Sequence, residues 1–598
     1  MTSHGLLDEL RAAGMARGGY LAISIVPGRG LGLALEPALS PQTQTQAQAQ
    51  TQTQAQALRW ALDSPEPEEL VRAIEAELRP RWVWWSNDTA AALARTGVRV
   101  ATCWDLVAVH RLLYGGWQVD PAMIWARLHG LDERSLPGTG QLDLLGNHGD
   151  EGSNPESAIR PDGHLRPEWV SGGWRRGTVR LAEWAATAAS AAVLQRRQLS
   201  EQPAAGDAEA TARSESAAEL LCAELSADGL PIDVPRAEQL IASFIGPAPG
   251  NATEAARQRE RRDAEVLELV PQADGIDLRN PAQVKVMLAK VGIDVADTRS
   301  WRLKHFRGAH PVVEALLTWR KAERIATTYG YDWLARNVGA DGRLRGAWSG
   351  SDGAAGRMTA QAGLHNLPAE LRPAVAADSG YVLVRADLGQ IEPRVLAAVS
   401  GDPALARATQ DDDLYAPVAS RLGVDRPIAK VAVLAAMYGQ TSGAAGQALK
   451  GMESAYPMAM RYLRDANDAG RVGRDVRTYG GRLVRMWPTP VGLDVEAERS
   501  HIAARGRYAR NAVVQGAAAE LFKAWAVTVR GRGGPLAAQV VLCLHDELLV
   551  HVPVEKGDAV RQLLEDCLQE AAQAWAPDRT VRFVADVSVI QRWSEAKA

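Results

Sequence analysis

The chain has 598 residues, a formal net charge of −4 and a hydrophobic content of 46%. This length is too great for one hydrophobic core and predicts two to four domains, while the slightly acidic balance gives no overall indication of a nucleic-acid-binding protein. The four cysteines lack CxxC spacing, so they predict neither a disulfide framework nor a zinc site. The sequence has no apolar run of about 20 residues and no signal-peptide pattern, so we expect a soluble, cytoplasmic protein.

The first 200 residues have the pattern of an α/β domain. Strands are predicted at 19–26, 31–35 and 82–85, and helices at 67–78 and 90–96. Residues 42–57 repeat Gln, Thr and Ala; such a polar tract buries too little apolar surface to pack, so we predict a disordered loop. Residues 201–216, rich in Glu, Ala and Ser, are predicted to form a linker.

A mostly helical region is predicted from residue 217 to about 345, with a break at 246–251. It contains a basic cluster interleaved with Trp301, Phe306 and Trp319. The cluster consists of Arg299, Arg302, Lys304, Arg307, Arg320, Lys321 and Arg324. Such a surface suits a phosphate backbone, although a solvated helical face is the more common explanation.

A carboxylate stands at the end of the next predicted strand. The strand begins at Tyr381 and ends at Asp387, and a helical pattern with Glu392 and Arg394 follows. A single Asp in this position is most often a helix N-cap. Beside a second acid, however, Asp387 becomes a candidate metal ligand.

A predicted helix behind Asp425 carries a stripe of residues four apart, namely Arg426, Lys430, Leu434 and Tyr438. Four steps of about 100° return close to the starting direction, so these side chains share one face. Two cations near a helix N-terminus lie where the helix dipole favours acids, which indicates an anionic ligand such as a triphosphate. An ordinary exposed Arg/Lys pair is the alternative.

A second stripe with the same spacing consists of Arg507, Asn511 and Gln515, ahead of the small residues 516–519. Long polar side chains beside a face that permits close packing suit a nucleic-acid minor groove. When the stripe is taken alone, a simple solvent-exposed face is the better explanation.

Two adjacent acids are predicted at the tip of a β-hairpin. The strands are 539–544 and 548–552, the tip is His545-Asp546-Glu547, and a last strand is predicted near 581–589. A buried, unpaired carboxylate costs several kcal/mol by order of magnitude, so such a pair needs a cation, a basic partner or water. The alternative is a surface turn.

Together these motifs resemble the family A DNA polymerases, the DNA polymerase I type, from about residue 217 to the C-terminus. The motifs that carry the resemblance are Asp387-Leu388-Gly389-Gln390-Ile391-Glu392, Arg426-x3-Lys430-x7-Tyr438-Gly439, His545-Asp546-Glu547, Gly356-Arg357-Met358-Thr359, Leu364-His365-Asn366-Leu367-Pro368, Thr478-Tyr479-Gly480-Gly481-Arg482 and the Arg507/Asn511/Gln515 stripe. They occur in the family's order.

The resemblance implies an N-terminal exonuclease-like (ribonuclease H-like) α/β domain and an α+β right-hand polymerase. The implied boundaries are 1–200 for the exonuclease-like domain, 201–216 for the linker, 217–598 for the polymerase, about 217–350 for the thumb, about 351–405 and 487–598 for the palm, and about 406–486 for the fingers. The implied protein is a monomer, is associated with the nucleoid and does not bind membranes.

The implied reaction is template-directed transfer of a deoxynucleotide (from a dNTP) to a primer 3′-hydroxyl, in DNA replication or repair. Asp387, the Leu388 carbonyl and Asp546 would hold two Mg²⁺ ions, with Glu547 as a supporting acid. Lys430 would neutralise the triphosphate with Arg426 and donate a proton to pyrophosphate.

The resemblance also implies binding roles. Nucleotide contacts are expected from Gln390, Glu392, Arg426, Lys430, Leu434 and Tyr438, with Glu392 as the steric gate against a ribose 2′-hydroxyl. Primer-template contacts are expected from Arg320, Arg324, Arg357, His365, Asn366, Arg507, Asn511, Gln515 and His545.

The chain departs from the family pattern at several positions. Leu434 replaces an aromatic residue that affects sugar selection, Leu388-Gly389 replaces Tyr-Ser, and His365 replaces Gln. In the N-terminal region, Ala90 and Ala188 stand where exonuclease acids are expected, so we predict a domain without 3′-5′ exonuclease activity. A catalytically silent DNA-binding scaffold and a single-subunit RNA polymerase are the alternatives to a DNA polymerase.

Overall fold

The computed structural model describes residues 3–36, 57–117, 119–136, 156–202, 204–271, 273, 275–439, 444–577 and 580–596. The loop predicted at 42–57 lies outside these residues apart from Ala57. The chain forms two compact units. The first comprises Met1–Asp228, Ala347–Thr359 and Val384–Val589, and the second comprises Gly229–Gly346, Ala360–Leu383 and Ile590–Ala598. None of the described helices is long and apolar enough to cross a membrane.

The N-terminal part of the first unit is an α/β arrangement, as predicted. Its elements are α1 (Ser3–Ala12), β1 (Tyr20–Val26), β2 (Gly30–Leu35), β3 (Arg59–Asp63), α2 (Pro67–Leu78), β4 (Arg81–Trp84), α3 (Asp88–Arg95), β5 (Thr102–Asp105), α4 (Leu106–Tyr114), α5 (Pro121–His129), α6 (Pro167–Val170), α7 (Thr178–Ser200) and α8 (Ala208–Asp228). The sheet order is β3-β2-β1-β4-β5. Strands β1, β2 and β3 pair antiparallel, whereas β4 pairs parallel to both β1 and β5.

Helix α7 packs closely against β2. A Cβ atom on Gly32 would lie 2.1 Å from backbone atoms of Leu181 and Ala182, so only glycine permits this approach. The same helix buries Ala185, Ala188 and further alanines in the core under the sheet. Small side chains on both elements therefore set the distance between helix and sheet.

The segment predicted as a linker is largely helical. Residues 208–216 form the first half of α8, and Ala212, Glu215 and Ser216 are buried. An Ala- and Glu-rich composition is as typical of a helix as of a linker, because Ala has the highest helix propensity. Only residues 201–207 lie between α7 and α8.

The second unit is mostly helical. In chain order it contains β6 (Leu230–Pro231), α9 (Val234–Ile245), α10 (Ala252–Leu267), α11 (Pro281–Lys290), α12 (Ser300–Leu303), α13 (Pro311–Thr328), α14 (Tyr331–Asn337) and β7 (Arg343–Leu344). Strands β6 and β7 pair antiparallel. The predicted break at 246–251 separates α9 from α10. This unit overlaps the predicted thumb, and the names thumb, palm and fingers stay predictions.

The remaining elements include the sheet that carries the candidate acids. They are β8 (Trp348–Asp352), β9 (Arg357–Ala360), β10 (Tyr381–Leu388), α15 (Ile391–Ser400), α16 (Pro403–Ala408), α17 (Tyr415–Leu422), α18 (Arg426–Tyr438), α19 (Ala444–Ala455), α20 (Pro457–Arg471), β11 (Val476–Arg477), β12 (Leu483–Val484), α21 (Val495–Gly533), β13 (Gln539–Leu544), β14 (Glu547–Pro553), α22 (Gly557–Trp575) and β15 (Ala585–Ile590). The sheet order is β13-β14-β10-β15. The predicted hairpin is confirmed as β13 and β14, which pair antiparallel with Leu544 opposite Glu547.

The first unit contains both the N-terminal α/β region and the part of this sheet that carries the acids Asp387 and Asp546. The predicted boundaries at residues 200 and 217 therefore do not coincide with the compact units. The reason is α8, whose buried side chains belong to the interior of the first unit.

Candidate active site

The carboxylates of Asp387 and Asp546 come from adjacent parts of one sheet. Asp387 lies on β10, and Asp546 lies in the turn between β13 and β14. The Leu388 amide donates a hydrogen bond of 2.9 Å to the Asp546 carbonyl, which ties the end of β10 to the turn. His545 has a left-handed φ of 51°, unusual for a residue with a side chain, and this conformation makes the turn tight.

Asp387 is not a helix cap. Helix α15 begins three residues after the strand end, and its N-cap position is taken by Gln390, with a left-handed φ of 56°. The N-cap interpretation of Asp387 is therefore wrong. The Asp387 carboxylate is therefore not used to cap α15.

Burial and neighbouring acids destabilise the charged forms of both carboxylates. Burial raises the pKa of Asp387 to about 6, and the charge of Asp546 adds to that rise. Burial also raises the pKa of Asp546. A site that concentrates negative charge in a partly buried place stabilises a bound cation.

A guanidinium that we did not predict lies among these acids. Arg385 precedes Asp387 by two residues on β10, so both side chains leave the same face of the strand. Its Nη2 lies 2.7 Å from Asp387 Oδ2, and its Nε lies 2.6 Å from Glu547 Oε1. A basic residue inside an otherwise apolar strand was the sequence signal that could have revealed it.

The predicted stripe on α18 is confirmed as one helix. Arg426 and Lys430 are exposed, whereas Leu434 is half-buried against the core of the first unit. Asp425 occupies the N-cap position, but its side chain makes no capping hydrogen bond.

Asp413, which we did not predict, connects two predicted nucleotide contacts. Arg426 donates to both of its carboxylate oxygens, at 2.5 and 3.1 Å. Gln390 Nε2 donates to Asp413 Oδ1 at 2.9 Å. The hydrogen bond from Arg426 lowers the pKa of Asp413, so Asp413 stays ionised. Arg426 and Gln390 are therefore oriented by one shared acid.

Glu392 is held by two other predicted site residues. The Tyr438 hydroxyl donates to Glu392 Oε2 at 2.9 Å, and Arg357 Nη2 donates to Glu392 Oε1 at 2.9 Å. Burial raises the pKa of Tyr438, and the negative charge of Glu392 raises it further. The hydroxyl thus remains protonated and keeps donating, which fixes the Glu392 side chain.

The second stripe lies on α21. Arg507 is exposed, and Asn511 and Gln515 are half-buried. The small-residue face beside it does permit close packing, because a Cβ atom on Gly516 would lie 2.4 Å from Thr478 Cγ2. The loop 478–482 is in turn anchored to α21, since Thr478 and the Gly480 amide both donate to Glu520.

The remaining predicted contacts lie in the second unit. Trp319 is buried and donates to Asp263 at 2.7 Å, so its expected place on an exposed surface is wrong; its apolar ring belongs to the core of the unit. Arg320 is half-buried and donates to the Thr298 carbonyl, and burial lowers its pKa. Arg324 is exposed and donates to the Asn366 carbonyl at 2.6 Å. The neighbouring His365 is half-buried.

The positions predicted for exonuclease acids carry small apolar side chains in the interior. Ala90 on α3 and Ala188 on α7 are both buried. The nearby acid Asp88, two residues before Ala90, accepts a hydrogen bond from the Ser86 hydroxyl at 3.0 Å.

Comparison with known proteins identifies the family. The model for DNA polymerase family A matches residues 251–595. A thermostable DNA polymerase I from Thermus filiformis is 29% identical over 413 residues, which cover 63% of this chain and 47% of that protein. DNA polymerase I from Chloroflexus aurantiacus is 28% identical over 388 residues, which cover 57% of this chain and 40% of that protein. The chain thus spans about half the length of these relatives.

The fold also resembles a solved structure. The POL domain of Pol1 from M. smegmatis, in a complex with DNA primer-template and dNTP, aligns over 100% of this chain and 99% of its own, with a TM-score of 0.66 and 21% identity. At 21% identity this likeness shows the fold alone, whereas the family model matches more than half of the chain. The chain belongs to DNA polymerase family A.

Proposed function

We propose that the protein is a template-directed DNA polymerase that adds deoxynucleotides from dNTPs to a primer 3′-hydroxyl in DNA replication or repair. The observation that carries the proposal is that Asp387 and Asp546 lie on adjacent parts of one sheet. The hydrogen bond from the Leu388 amide to the Asp546 carbonyl connects these two parts. Membership of DNA polymerase family A supports the reaction class.

The donor set suits Mg²⁺. Within the described residues no three His, Cys, Asp or Glu side chains form a metal site on their own. Mg²⁺ typically takes one or two protein carboxylates and completes its shell with water and substrate phosphates. Asp387 and Asp546 would supply those carboxylates and the Leu388 carbonyl a further oxygen. When bound, two such ions activate the attacking hydroxyl and neutralise the leaving group.

The residues of α18 would bind the triphosphate. Arg426 and Lys430 are exposed on the same helix face, and Asp413 orients the Arg426 guanidinium. Their positive charge would balance the phosphates, and Lys430 would donate a proton to the leaving pyrophosphate. The half-buried Leu434 would line the sugar side of this pocket.

Glu392 would select the deoxyribose sugar. Its two carboxylate oxygens accept hydrogen bonds from Tyr438 and Arg357, so the side chain cannot easily swing away. A fixed side chain can exclude a ribose 2′-hydroxyl, whereas a mobile one would yield to it. Tyr438 would also close the pocket over the new base pair.

The primer-template would be bound along α21 and the neighbouring elements. Arg507, Asn511, Gln515 and Arg357 would follow the minor groove, and His545 would contact the primer end. In the second unit, the proposed contacts are Arg324, His365, Asn366 and Arg320, of which Arg320 already donates a hydrogen bond to the Thr298 carbonyl. We propose no 3′-5′ exonuclease activity, because Ala90 and Ala188 cannot ligate a metal.

Primer extension on a gapped template tests the proposal. Asp546→Asn should abolish extension while leaving the fold intact, and Asp558→Asn, an exposed acid on α22, should extend like wild type. Equal activity of Asp546→Asn and wild type would refute the metal assignment. No extension by wild type would favour a silent scaffold, and preferential use of ribonucleotides would favour an RNA polymerase.

A further inference from the structure

Arg385 is a buried cation at the centre of the acid-bearing sheet. Its strand, β10, lies between β14 and β15, and each of these three strands supplies an acid near the guanidinium. Nε lies 2.6 Å from Glu547 on β14, Nη2 lies 2.7 Å from Asp387 on β10, and Nη1 lies 3.7 Å from Asp586 on β15.

The strength of these contacts follows the burial of the acids. The side chains of Arg385 and Glu547 are each 11% exposed, that of Asp387 is 35% exposed and that of Asp586 is 72% exposed. The pair with Glu547 is therefore the most shielded from water, and the pair with Asp586 is largely screened. Arg385 is thus bound most tightly to Glu547, whereas the Asp387 carboxylate contacts both Arg385 and solvent.

We propose that Arg385 is the resident counter-ion of the metal site, a positioning residue that tunes the affinity for divalent cations. It keeps Glu547 turned away from the metal and competes with the metal for Asp387. The inference rests on the proposed function, because it requires that Asp387 and Asp546 bind a divalent cation.

Two consequences follow from the geometry. Glu547 Oε1 accepts from Arg385 and the Glu547 side chain is only 11% exposed, whereas Asp387 is 35% exposed, so Glu547 acts as a supporting acid rather than a direct ligand. Asp387 Oδ2 accepts from Arg385 in the same way, so a cation must share or displace that contact. A guanidinium cannot lose its proton under these conditions, and its charge therefore repels any cation that binds beside it.

Arg385 opposes metal binding, but in the metal-free protein it stabilises the fold. It neutralises acids whose mutual repulsion would otherwise destabilise the end of the sheet. Replacing it with a neutral side chain should therefore weaken the metal-free fold and strengthen metal binding. A residue that only stabilised the sheet would change the first property and not the second.

The test is a titration of the full chain with Mn²⁺ alone, followed by electron paramagnetic resonance of the free ion. We expect Arg385→Gln to bind Mn²⁺ about tenfold more tightly than wild type, equivalent to about 1.4 kcal/mol. Arg385→Lys keeps the charge and should stay within about threefold of wild type. Arg532→Gln, which removes an exposed arginine paired with Glu570, is the matched control and should bind like wild type.

Asp546→Asn separates the inference from the proposed function. If Asp546→Asn binds Mn²⁺ like wild type, the metal assignment itself fails. If Asp546→Asn loses binding and Arg385→Gln binds no more tightly than wild type, the inference about Arg385 is overturned.

Melting temperatures measured with EDTA and with Mn²⁺ give a second test. They show separately whether Arg385→Gln weakens the metal-free fold and whether Mn²⁺ restores it. We expect Arg385→Gln to melt below wild type in EDTA and to recover more of its melting temperature with Mn²⁺ than wild type gains. An equal loss of melting temperature in both conditions would show that Arg385 only stabilises the sheet.

Discussion

Glu215 on α8 forms ion pairs with two buried cations, and neutralising it tests how strongly this network stabilises the fold. Its Oε1 lies 2.5 Å from Lys523 Nζ, and its Oε2 pairs with Arg482. None of the three side chains is more than 3% exposed. Burial acts to raise the pKa of Glu215, but the charges of Arg482 and Lys523 outweigh it and lower that pKa.

The substitution Glu215→Gln keeps the shape of the side chain and removes its charge. Breaking a buried ion pair by neutralising one partner costs about 3–5 kcal/mol, because the other charge stays buried. Two cations lose their partner here, but Lys523 keeps its bonds to the carbonyls of Gly350 and Gly356, and Arg482 keeps its bond to Ser351. We therefore expect a loss of about 3–5 kcal/mol rather than twice that amount.

The assay is urea unfolding followed by circular dichroism near pH 7, which gives the change in the free energy of unfolding. Glu209→Gln is the matched control, since Glu209 lies on the same helix and makes an exposed pair with Arg213. It should cost no more than about 0.5 kcal/mol. Combining Glu215→Gln with Lys523→Met should cost at least about 1 kcal/mol less than the two single losses added together.

A loss below about 1 kcal/mol for Glu215→Gln would refute this reasoning, because a cost that small is typical of surface pairs. It would mean that water or Glu520 compensates the two cations. The network also supports the candidate site, since Lys523 holds the carbonyl of Gly356, the residue before Arg357.

Three further predictions concern the gate, a buried acid and a close contact. Glu392→Ala should raise ribonucleotide incorporation relative to deoxynucleotides by about tenfold or more in single-turnover extension, and Tyr438→Phe, which removes one hydrogen bond to Glu392, should have a smaller effect. Burial raises the pKa of Glu520 to about 7, above its unfolded value of about 4.3, so the native state binds the extra proton between these values. The free energy of unfolding should therefore fall by about 3–4 kcal/mol from this group as pH rises from about 4 to 7, and unfolding of Glu520→Gln at matched pH should lack that fall. Gly32→Ala should lower the melting temperature strongly, because its Cβ atom would lie 2.1 Å from the backbone of α7; an unchanged melting temperature would show that the contact can relax.

Local sequence patterns were sufficient to predict the elements whose candidate functional residues lie close together in the chain. The stripe on α18 follows from a four-residue spacing that any α-helix converts into one face, and the hairpin at Asp546 follows from two apolar runs with a short polar tip. The helix predicted at 67–78 has the bounds found for α2, because an apolar stripe and a proline at its start specify it locally.

Prediction from sequence patterns failed where the amino-acid composition of a segment suits more than one structure. Residues 208–216 have the small and charged side chains of a linker, yet they form a helix that buries Glu215 against two cations from α21 and the loop 478–482. The basic cluster likewise contained Trp319, which is buried and donates a hydrogen bond to Asp263, 56 positions away.

The motifs in the sequence were sufficient to indicate the family, and patterns of neighbouring residues predicted the acids on β10 and at the hairpin tip and the cation stripe on α18. The partners of these groups depend on the tertiary structure. Arg385 meets Glu547 across 162 positions, Gln390 meets Asp413, and Lys523 meets Glu215, because sheet order and helix packing bring distant residues together. Charge balance at the candidate site depends on these long-range pairs, which no local pattern contains.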